Sequence, residues 1–458
     1  MKSYDVIIIG AGPAGIFTAL ELVFAGVTNV LIVEKGKAIE ERVCFVNRET
    51  SKCYNCYPCS ITNGWGGAGA FSDGKLTLTS EFGGFLSEYI EKTELDMLIK
   101  YIDDIYVKFG ATTEVHGTDK EKVKELQKKA KAAELKLIPA IIKHLGTENC
   151  HRILKNMQDF LKSKIDVMTD CAVKNILVEG NKVFGIETER GEIFYGKFIV
   201  AAPGREGAEW FKGQCEKLKI RTINNAVDIG VRVEVPAEVL EDITNTVYES
   251  KLIYYSKSFD DKVRTFCMNP NGFVVVENYE GVKTVNGHSF KNIKSENTNF
   301  ALLVSKEFTH PFREPITYGK YIASLANMLG EGVIVQRLGD LLDGRRSTQD
   351  RINKGLVVPT LRDATPGDLS LVLPYRHLKD IIEMLEAMDR IAPGVNSKHT
   401  LLYGVEVKFY SSRVEVNNQF ETPIENLFAI GDGAGITRGL AQASVTGVVV
   451  ARAIINKK

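Results

Sequence analysis

The segment 4–34 constrains the fold more than any other part of this 458-residue sequence. A short apolar run at 6–9 (VIII) suits a buried strand, and it leads directly into 10–15 (GAGPAG). Residues 16–25 then permit a helix, and a second apolar run at 30–33 (VLIV) is followed by an acidic residue. Strand, glycine turn, helix, strand and acid follow one another as in a dinucleotide-binding unit, so the segment predicts a Rossmann-like domain.

Each residue of this unit has a physical role in binding a nucleotide. Gly10 permits the tight turn, Gly12 lets the backbone approach a pyrophosphate, and Gly15 lets the helix pack close to the strand. The unpaired amides of the first helical turn, where Pro13 costs no hydrogen bond, can face the phosphates. Glu34, about twenty residues beyond Gly15, can bind two ribose hydroxyls. The predicted nucleotide-binding residues of this segment are Gly10, Gly12, Pro13, Ala14, Gly15, Glu34 and Lys35.

The composition excludes several classes of protein. Lysine plus arginine and aspartate plus glutamate both number 58, and this zero formal net charge gives no support for a nucleic-acid partner. No apolar run approaches the roughly eighteen residues of a membrane span, and glycines and a proline interrupt the apolar start. Eight cysteines in so long a chain do not indicate a secreted disulfide framework. We expect a cytoplasmic protein that contacts a small-molecule substrate or an electron-transfer partner.

A second glycine-rich stretch, 64–75 (GWGGAGAFSDGK), contains five glycines. That many glycines disfavour a regular helix or strand, and they let the backbone approach a flat or bulky ligand. The alternative is a flexible surface loop, but Trp65 is too apolar for full exposure. We predict that Gly66, Gly67 and Ala68 contact the ligand.

Helical patterns dominate three parts of the chain. Residues 83–164 favour helices, and a capping box at 118–121 (TDKE) precedes apolar residues at helical spacing that extend to Leu137. Residues 318–342 and 377–388 each predict a further helix.

Strand patterns dominate two other parts. Residues 166–200 favour short strands joined by turns, a β-meander that ends in a buried strand entering Ala202 and Gly204. Residues 227–308 are also rich in strands, and 228–234 (DIGVRVE) alternates between an inward and an outward face.

The last segment returns to the α/β pattern. Residues 425–430 predict a strand, 431–435 (GDGAG) a glycine turn and 440–455 a buried helix. A strand that delivers an aspartate to the start of a helix marks a second ligand-facing terminus. The predicted ligand contacts here and at the end of the meander are Ala202, Gly204, Gly431, Asp432, Gly433 and Gly435.

Three separated motifs resemble those of the FAD-dependent oxidoreductases of the glutathione-reductase structural superfamily. They are the segment 10–34, the strand end 201–204 (AAPG) and the segment 422–432. In that superfamily the aspartate of the last motif binds the ribityl chain of FAD, and the following helix points its N-terminus at the flavin ring. The resemblance therefore implies that Asp432 holds the ribityl chain and that 433–435 approach the flavin.

More narrowly, the chain resembles the FAD-dependent dehydrogenases that carry a GWGGAGAFSDGKL block. Residues 64–76 contain this block, and 227–234, 286–289 and 431–438 are also similar to that family. The resemblance covers nearly the whole chain. It implies FAD as the cofactor and an oxidoreductase activity whose substrate the family does not identify.

The implied fold class is α/β. A discontinuous Rossmann-like FAD-binding domain, with a central parallel sheet and a β-meander, carries an inserted β-rich α+β substrate domain. The sequence has no second strand–GxGxxG–helix–strand unit, so NAD(P)H would donate electrons without a dedicated domain, or the substrate itself would be the donor. The predicted boundaries are 1–90, 165–214 and 401–458 for the FAD-binding domain, 91–164 for a helical insertion and 215–400 for the substrate domain.

Four cysteines lie close together in the sequence, at Cys44, Cys53, Cys56 and Cys59. Four thiolates could bind zinc or an iron–sulfur cluster. Two of them could instead form a redox dithiol that exchanges electrons with the flavin, which requires a thiolate of lowered pKa. The third alternative is a set of reduced thiols without a function, and the spacing leaves all three open.

Three residues are candidates for the chemistry itself. His288, predicted in a turn of the substrate domain, has an unperturbed pKa of about 6.5 that suits proton transfer. Asp73 and Lys75 share the glycine-rich loop, and a lysine near the flavin could stabilise its reduced anion. A plain turn histidine and a solvated loop pair are the alternatives. Arginines that could bind a carboxylate or phosphate, or form surface ion pairs instead, are Arg345, Arg346 and Arg376.

The sequence thus predicts an FAD-dependent oxidoreductase that transfers a hydride or electrons to or from a small molecule. One alternative is a reductase of carbon–carbon double bonds, similar to the geranylgeranyl reductases. The other is a non-enzymatic redox sensor or electron relay that uses the cysteine cluster. The substrate and the oligomeric state do not follow from the sequence.

Overall fold

The computed structural model describes residues 2–44, 56–72, 74–279, 281–290, 293–312 and 314–458. Within them the helices are α1 (Pro13–Phe24), α2 (Lys92–Lys108), α3 (Lys120–Ala132), α4 (Thr147–Lys162), α5 (Ala208–Lys217), α6 (Glu241–Val247), α7 (Pro315–Gly330), α8 (Leu338–Leu342), α9 (Gln349–Asn353), α10 (Tyr375–Met388) and α11 (Leu440–Lys457). Among these residues, no helix combines the length and the apolar character needed to cross a bilayer.

The strands alternate with these helices along the chain. They are β1 (Ser3–Ile9), β2 (Val30–Val33), β3 (Lys75–Thr77), β4 (Lys136–Ile138), β5 (Ile142–His144), β6 (Asp166–Met168), β7 (Val173–Glu179), β8 (Lys182–Thr188), β9 (Ile193–Ala201), β10 (Thr222–Ile223), β11 (Val227–Pro236), β12 (Lys251–Tyr255), β13 (Lys262–Asn269), β14 (Phe273–Tyr279), β15 (Val282–His288), β16 (Asn297–Lys306), β17 (Ile334–Arg337), β18 (Thr365–Pro366), β19 (Leu401–Lys408), β20 (Arg413–Val414) and β21 (Leu427–Ala429).

The chain divides into two compact units. Unit 1 consists of Met1–Glu114, Lys143–Asn225 and Tyr410–Lys458, and unit 2 consists of Val115–Ile142 and Ala226–Phe409. The segment 91–164, predicted as one helical insertion, is therefore divided between them: α2 and α4 belong to unit 1, whereas α3 and β4 belong to unit 2. The reason is pairing, because β4 forms the edge strand of the unit 2 sheet beside β12.

Unit 1 is built around a seven-stranded sheet in the order β6-β2-β1-β9-β8-β7, with β21 also paired to β9. The strands β6, β2, β1, β9 and β21 are parallel, and β7, β8 and β9 form an antiparallel meander. All four residues of β2 are buried, as expected for a parallel strand that is covered on both faces. The α/β class with a central parallel sheet and a β-meander is confirmed.

Two helices of unit 1, α1 and α11, pack against each other through small residues. An added Cβ at Gly447 of α11 would lie 2.3 Å from the carbonyl oxygen of Ala14 and 2.8 Å from the amide nitrogen of Thr18, both on α1. Only a glycine allows the two backbones to approach so closely. This contact joins the first and last α-helices of the described chain, and it supports the predicted buried helix at 440–455.

Unit 2 contains an eight-stranded mixed sheet in the order β18-β17-β19-β11-β16-β13-β12-β4. The odd-numbered residues of β11, Val227 to Val235, belong to an apolar core that includes side chains of α10. The even-numbered residues were expected to face outward, but Asp228, Arg232 and Glu234 are also buried. The β14–β15 hairpin covers this second face, where Asn286 of β15 accepts a hydrogen bond from Arg232.

Several local predictions differ from the structure. The helix predicted to extend to Leu137 ends at Ala132, and Leu137 lies in β4. Asp119, rather than Thr118, is the N-cap residue, and its carboxylate accepts the Lys122 amide at 3.1 Å. The single helix predicted at 318–342 is interrupted by β17, because Glu331 adopts a left-handed backbone with φ of 52° that ends α7.

Candidate functional site

The sequence-predicted nucleotide-binding residues of unit 1 follow the carboxyl ends of neighbouring parallel strands. Gly10 follows β1, Glu34 follows β2, Ala202 follows β9, and Gly431 lies two residues beyond β21. Since β2, β1, β9 and β21 are parallel neighbours, their carboxyl ends meet at one edge of the sheet. Ligands of open α/β sheets bind at this edge. The fold therefore brings residues from four distant parts of the sequence together.

The glycine turn after β1 has the close packing that its sequence predicts. Gly10 has a φ of +101°, and a Cβ there would lie 2.2 Å from the Ala202 carbonyl oxygen. A Cβ on Gly15 would lie 2.0 Å from the Gly10 carbonyl oxygen, so α1 packs directly on the turn. A Cβ on Gly12, by contrast, would meet nothing within 4 Å. The backbone at Gly12 and at the start of α1 is thus open to a phosphate group.

Glu34 connects the glycine turn to the second glycine-rich stretch. Its Oε2 accepts the Ala11 amide at 2.8 Å, and its Oε1 accepts the Gly36 amide at 2.8 Å and the Gly64 amide at 3.0 Å. A carboxylate offers about four lone-pair sites, so the buried Glu34 retains acceptor capacity for a ribose hydroxyl. Its neighbour Lys35 lies 3.8 Å from the carboxylate of Glu206.

The second glycine-rich stretch is ordered against the first. The Gly66 amide donates to the Ala11 carbonyl at 2.7 Å, and a Cβ on Gly67 would lie 3.3 Å from Cα of Gly12. The Trp65 indole is fully buried and donates to the Leu154 carbonyl at 2.9 Å. Ala68 follows in a 3₁₀ turn, Gly67–Phe71. These contacts order the stretch and argue against the alternative of a flexible surface loop, and the contact with a ligand stays a prediction.

Arg42 orders this stretch, and the sequence reasoning did not identify it. Its five N–H groups donate to the carbonyl oxygens of Ser60, Ile61, Trp65 and Gly67 at 2.6–3.0 Å. Burial lowers the pKa of Arg42 to about 10, which leaves the side chain charged at neutral pH. The sequence showed only that Arg42 lies in a polar segment. An arginine exposed at the surface would give the same sequence pattern.

Asp432 lies in the turn between β21 and α11. Its carboxylate accepts the Thr437 hydroxyl at 2.7 Å and approaches the Gly439 amide at 3.3 and 3.4 Å. Arg205, which follows the β9 strand end, places its Nε 3.8 Å from the same carboxylate. Burial raises the pKa of Asp432, and the charge of Arg205 opposes this increase.

Close packing among glycines shapes the rest of this turn. A Cβ on Gly433 would lie 2.3 Å from the Gly204 carbonyl oxygen, and a Cβ on Gly435 would lie 2.6 Å from the Ser411 and Ser412 carbonyls. A Cβ on Gly204 itself would meet nothing within 4 Å. The edge of the sheet therefore combines tightly packed glycines with open backbone, and these residues fit a dinucleotide such as FAD.

The candidate catalytic residues lie in different units. Lys75 begins β3 in unit 1 and is half-buried, whereas Asp73 lies outside the described residues. His288 belongs to unit 2, and the prediction that it occupies a turn is wrong: it is the last residue of β15, paired with Phe273. Strand pairing orders its backbone, and its ring stacks on Phe290 with the centroids 6.4 Å apart.

The cysteine cluster is described in part. Cys44 and Cys59 are half-buried and Cys56 is exposed, and none of the three forms a disulfide with another described cysteine. Cys53 lies outside the described residues. Within the described ranges, no three histidine, cysteine, aspartate or glutamate side chains are placed to hold a metal ion.

The candidate arginines are mostly engaged in ion pairs within unit 2. Arg345 lies 2.9 Å from Asp340 and 2.9 Å from Asp343. Arg376 contacts both carboxylate oxygens of Asp261, at 2.5 and 2.9 Å. Arg346 makes a longer contact, 3.5 Å, to the carbonyl oxygen of the next residue. For Arg345 and Arg376 this agrees with the alternative of surface ion pairing.

Two segments of the chain match known families. Residues 3–52 match a family described as an FAD binding domain, and residues 226–409 match one described as FAD-dependent protein, C-terminal domain-like. The second match has the same bounds as the longer segment of unit 2. A relative from Clostridium beijerinckii, described as an uncharacterized protein, is 27% identical over an aligned length of 487 that includes gaps. The match covers 98% of this chain and 80% of the relative.

Solved structures with a similar course of the chain include a dehydrogenase and a deaminase. L-proline dehydrogenase from P. horikoshii is 13% identical with a TM-score of 0.43, and the match covers 100% of this chain and 94% of that one. L-amino acid deaminase from Proteus vulgaris is 15% identical with a TM-score of 0.41, and the match covers 100% and 95%. At such low scores these likenesses identify no substrate.

Proposed function

This chain is an FAD-dependent oxidoreductase, and from this we propose that unit 1 holds FAD. We propose further that unit 2 recognises a small molecule that the flavin oxidises or reduces. One observation carries this proposal. The Gly12 turn, Glu34 and Asp432 all lie at the carboxyl edge of the unit 1 sheet, although they are separated by up to about four hundred residues in sequence. The Gly12 turn and Glu34 would suffice to bind a nucleotide, whereas a flavin dinucleotide also needs a partner for its ribityl chain.

The proposed roles in binding follow from the chemistry of the groups. The open amides at the start of α1 face the pyrophosphate, and Glu34 accepts hydrogen bonds from the ribose hydroxyls. Asp432 accepts from the ribityl chain. The backbones of 66–68 and 433–435 approach the flavin ring because they carry little or no side chain. The bound FAD supplies the capacity to accept or donate a hydride or electrons.

For unit 2, the supporting observation is the buried polar face of its sheet. Asp228, Arg232 and Glu234 lie on one face of β11, although an apolar face would stabilise a purely structural sheet at lower cost. We therefore assign substrate recognition to this unit. Within it, His288 is our candidate for proton transfer, and in unit 1 Lys75 and Asp73 are the candidates to act beside the flavin.

The electron donor belongs to the proposal as well. The sequence contains one dinucleotide-binding unit, so we propose that the substrate reduces the flavin directly or that NAD(P)H binds without a domain of its own. The comparisons favour neither the carbon–carbon double-bond reductase nor the redox sensor that the sequence left open. The Cys44–Cys59 region keeps a proposed accessory role, as a zinc or iron–sulfur ligand set or as a dithiol.

The decisive experiment begins with the purified protein. A yellow protein that releases FAD on heating supports the proposal, and a protein that retains no flavin after reconstitution with FAD would overturn it. Anaerobic stopped-flow mixing with NADH and with NADPH then distinguishes a pyridine-nucleotide donor from direct reduction by the substrate. Metal analysis and an assay for acid-labile sulfide test the cysteine cluster. If neither zinc nor iron is present at stoichiometric level, the dithiol and a set of reduced thiols without a function remain as the alternatives.

A further inference from the structure

Arg438 lies in the loop between Asp432 and Leu440, the first residue of α11. Its own segment is held to the chain near Gly83 by backbone hydrogen bonds. The Phe85 amide donates to the Ile436 carbonyl at 2.8 Å, and the Arg438 amide donates to the Gly83 carbonyl at 2.5 Å. The backbone that carries Arg438 is therefore well ordered.

The guanidinium of Arg438 lies over two aromatic rings. It lies 3.5 Å from the centroid of Tyr410 and 5.1 Å from the centroid of Phe85. Arg413 lies against the same Phe85 ring, at 4.8 Å. Cation–π contacts of this kind hold an arginine against the ring faces without neutralising its charge.

The two arginines of this stack differ in their ion pairing. Arg413 lies 2.6 Å from the Glu88 carboxylate. Arg438 forms no ion pair within the described parts of the chain, and it is half-buried. Arg205, 3.8 Å from Asp432, and Arg438 both act electrostatically on this carboxylate. The three side chains together carry a net charge of +1.

We propose that Arg438 is a positioned cation that stabilises the reduced flavin held between Asp432 and α11. The inference rests on the proposed function, because it takes the flavin position from that proposal. A hydride brings two electrons and one proton to the neutral oxidised ring, so one negative charge is added. An arginine that is already oriented and only partly solvated attracts this charge without having to reorganise. Tyr410 acts through Arg438, as a positioning residue.

The measurement that tests this is the midpoint potential of the bound flavin, determined anaerobically by equilibration with a reference dye. Arg438→Gln removes the charge and keeps a polar side chain. We expect the ratio of reduced to oxidised flavin at a given potential to fall at least tenfold. For a two-electron couple this corresponds to a midpoint potential that is lower by at least about 30 mV. Arg438→Lys, which keeps the charge, is expected to recover at least half of this shift.

Arg413→Gln is the matched control, since it removes an arginine from the same aromatic stack whose charge is already paired with Glu88. Its potential should equal that of the unaltered protein. If Arg438→Gln leaves the potential unchanged, or if Arg413→Gln lowers it as much, the inference is wrong. If Arg438→Gln does not hold FAD, Tyr410→Leu replaces it, and an unchanged potential in that variant overturns the inference.

Failure of this inference is distinguishable from failure of the proposed function. A protein that binds no FAD contradicts the proposed function before any potential can be measured. A protein that binds FAD with equal potentials in all variants keeps the proposed function and contradicts only the role of Arg438.

Discussion

Arg232 and Glu406 form a two-point ion pair in the interior of unit 2. Nε of Arg232 lies 2.7 Å from Oε2 of Glu406, and Nη2 lies 2.9 Å from Oε1, with neither side chain exposed to solvent. Nη1 donates to the Cys267 carbonyl at 3.0 Å and to the Asn299 amide oxygen at 2.9 Å. This pair, on β11 and β19, joins two central strands of the sheet to the residues around them.

Removing one partner of this pair should strongly destabilise unit 2. Arg232→Met leaves the Glu406 carboxylate buried without its main partner, and we expect a loss of about 3–5 kcal/mol in the free energy of unfolding. Urea denaturation measures this loss. The control is Lys155→Met, which breaks an exposed pair with Asp159 on α4 and should cost far less, because solvent screens that pair. Equal losses in the two variants would contradict the prediction.

The pH dependence of stability should contain a contribution from Asp380 on α10. Burial, followed by the neighbouring Asp261 carboxylate, raises the pKa of Asp380 from 3.8 to about 6. The folded state therefore binds more protons than the unfolded state between these values, and stability falls as the pH rises from about 4 to about 6. Asp380→Asn should be more stable than the unaltered protein at pH 8, by about 1–3 kcal/mol, and equal to it near pH 4.

Thermal unfolding of both proteins across this pH range measures the difference. An exposed carboxylate replaced in the same way, Asp104→Asn on α2, controls for the change in net charge. A stability advantage of Asp380→Asn that did not change with pH would show that the ionised form of Asp380 is not the cause.

The contact between α1 and α11 should tolerate no side chain at Gly447. Gly447→Val places Cβ against the Ala14 carbonyl, and we expect it to destabilise unit 1 by about 1–3 kcal/mol. Gly213→Ala on α5 is the matched control, because an added Cβ there meets nothing within 4 Å. That change should stabilise the protein by up to about 1 kcal/mol, the gain from helix propensity. Thermal unfolding in the absence of FAD compares the two.

A side chain at Gly12 should affect the cofactor rather than the fold. Gly12 has a φ of −79°, which any residue can adopt, and its Cβ would project into open space. Gly12→Val should therefore unfold within about 1 kcal/mol of the unaltered apoprotein. Its affinity for FAD should fall at least 100-fold, because the side chain occupies the place of the pyrophosphate. Titration of the apoprotein with FAD, followed by flavin fluorescence, gives both affinities, and equal values would contradict the proposed phosphate position.

Local sequence patterns predicted helices and strands correctly where burial of apolar residues alone determined the structure. The apolar run at 30–33 is fully buried, most residues of 440–455 are buried too, and both elements were predicted in the right place. The pattern failed at Leu137, where helical spacing continued past the end of α3 and pairing with β12 determined the conformation. It failed also at His288, since no local feature distinguishes a turn from a hairpin strand that pairs with Phe273.

The sequence by itself determined the first and last glycine turns, the identity of the acids at Glu34 and Asp432 and, through both, the class of cofactor. These depend on backbone freedom and on spacing within a few residues, which local chemistry controls. Only the tertiary structure decided that Arg42 orders the second glycine-rich stretch, that β11 is buried on both faces, and that Arg438 lies over two rings without an ion pair among the described residues. Such features depend on side chains that meet across long separations in the chain, and a local pattern contains no information about which distant residue will be the neighbour.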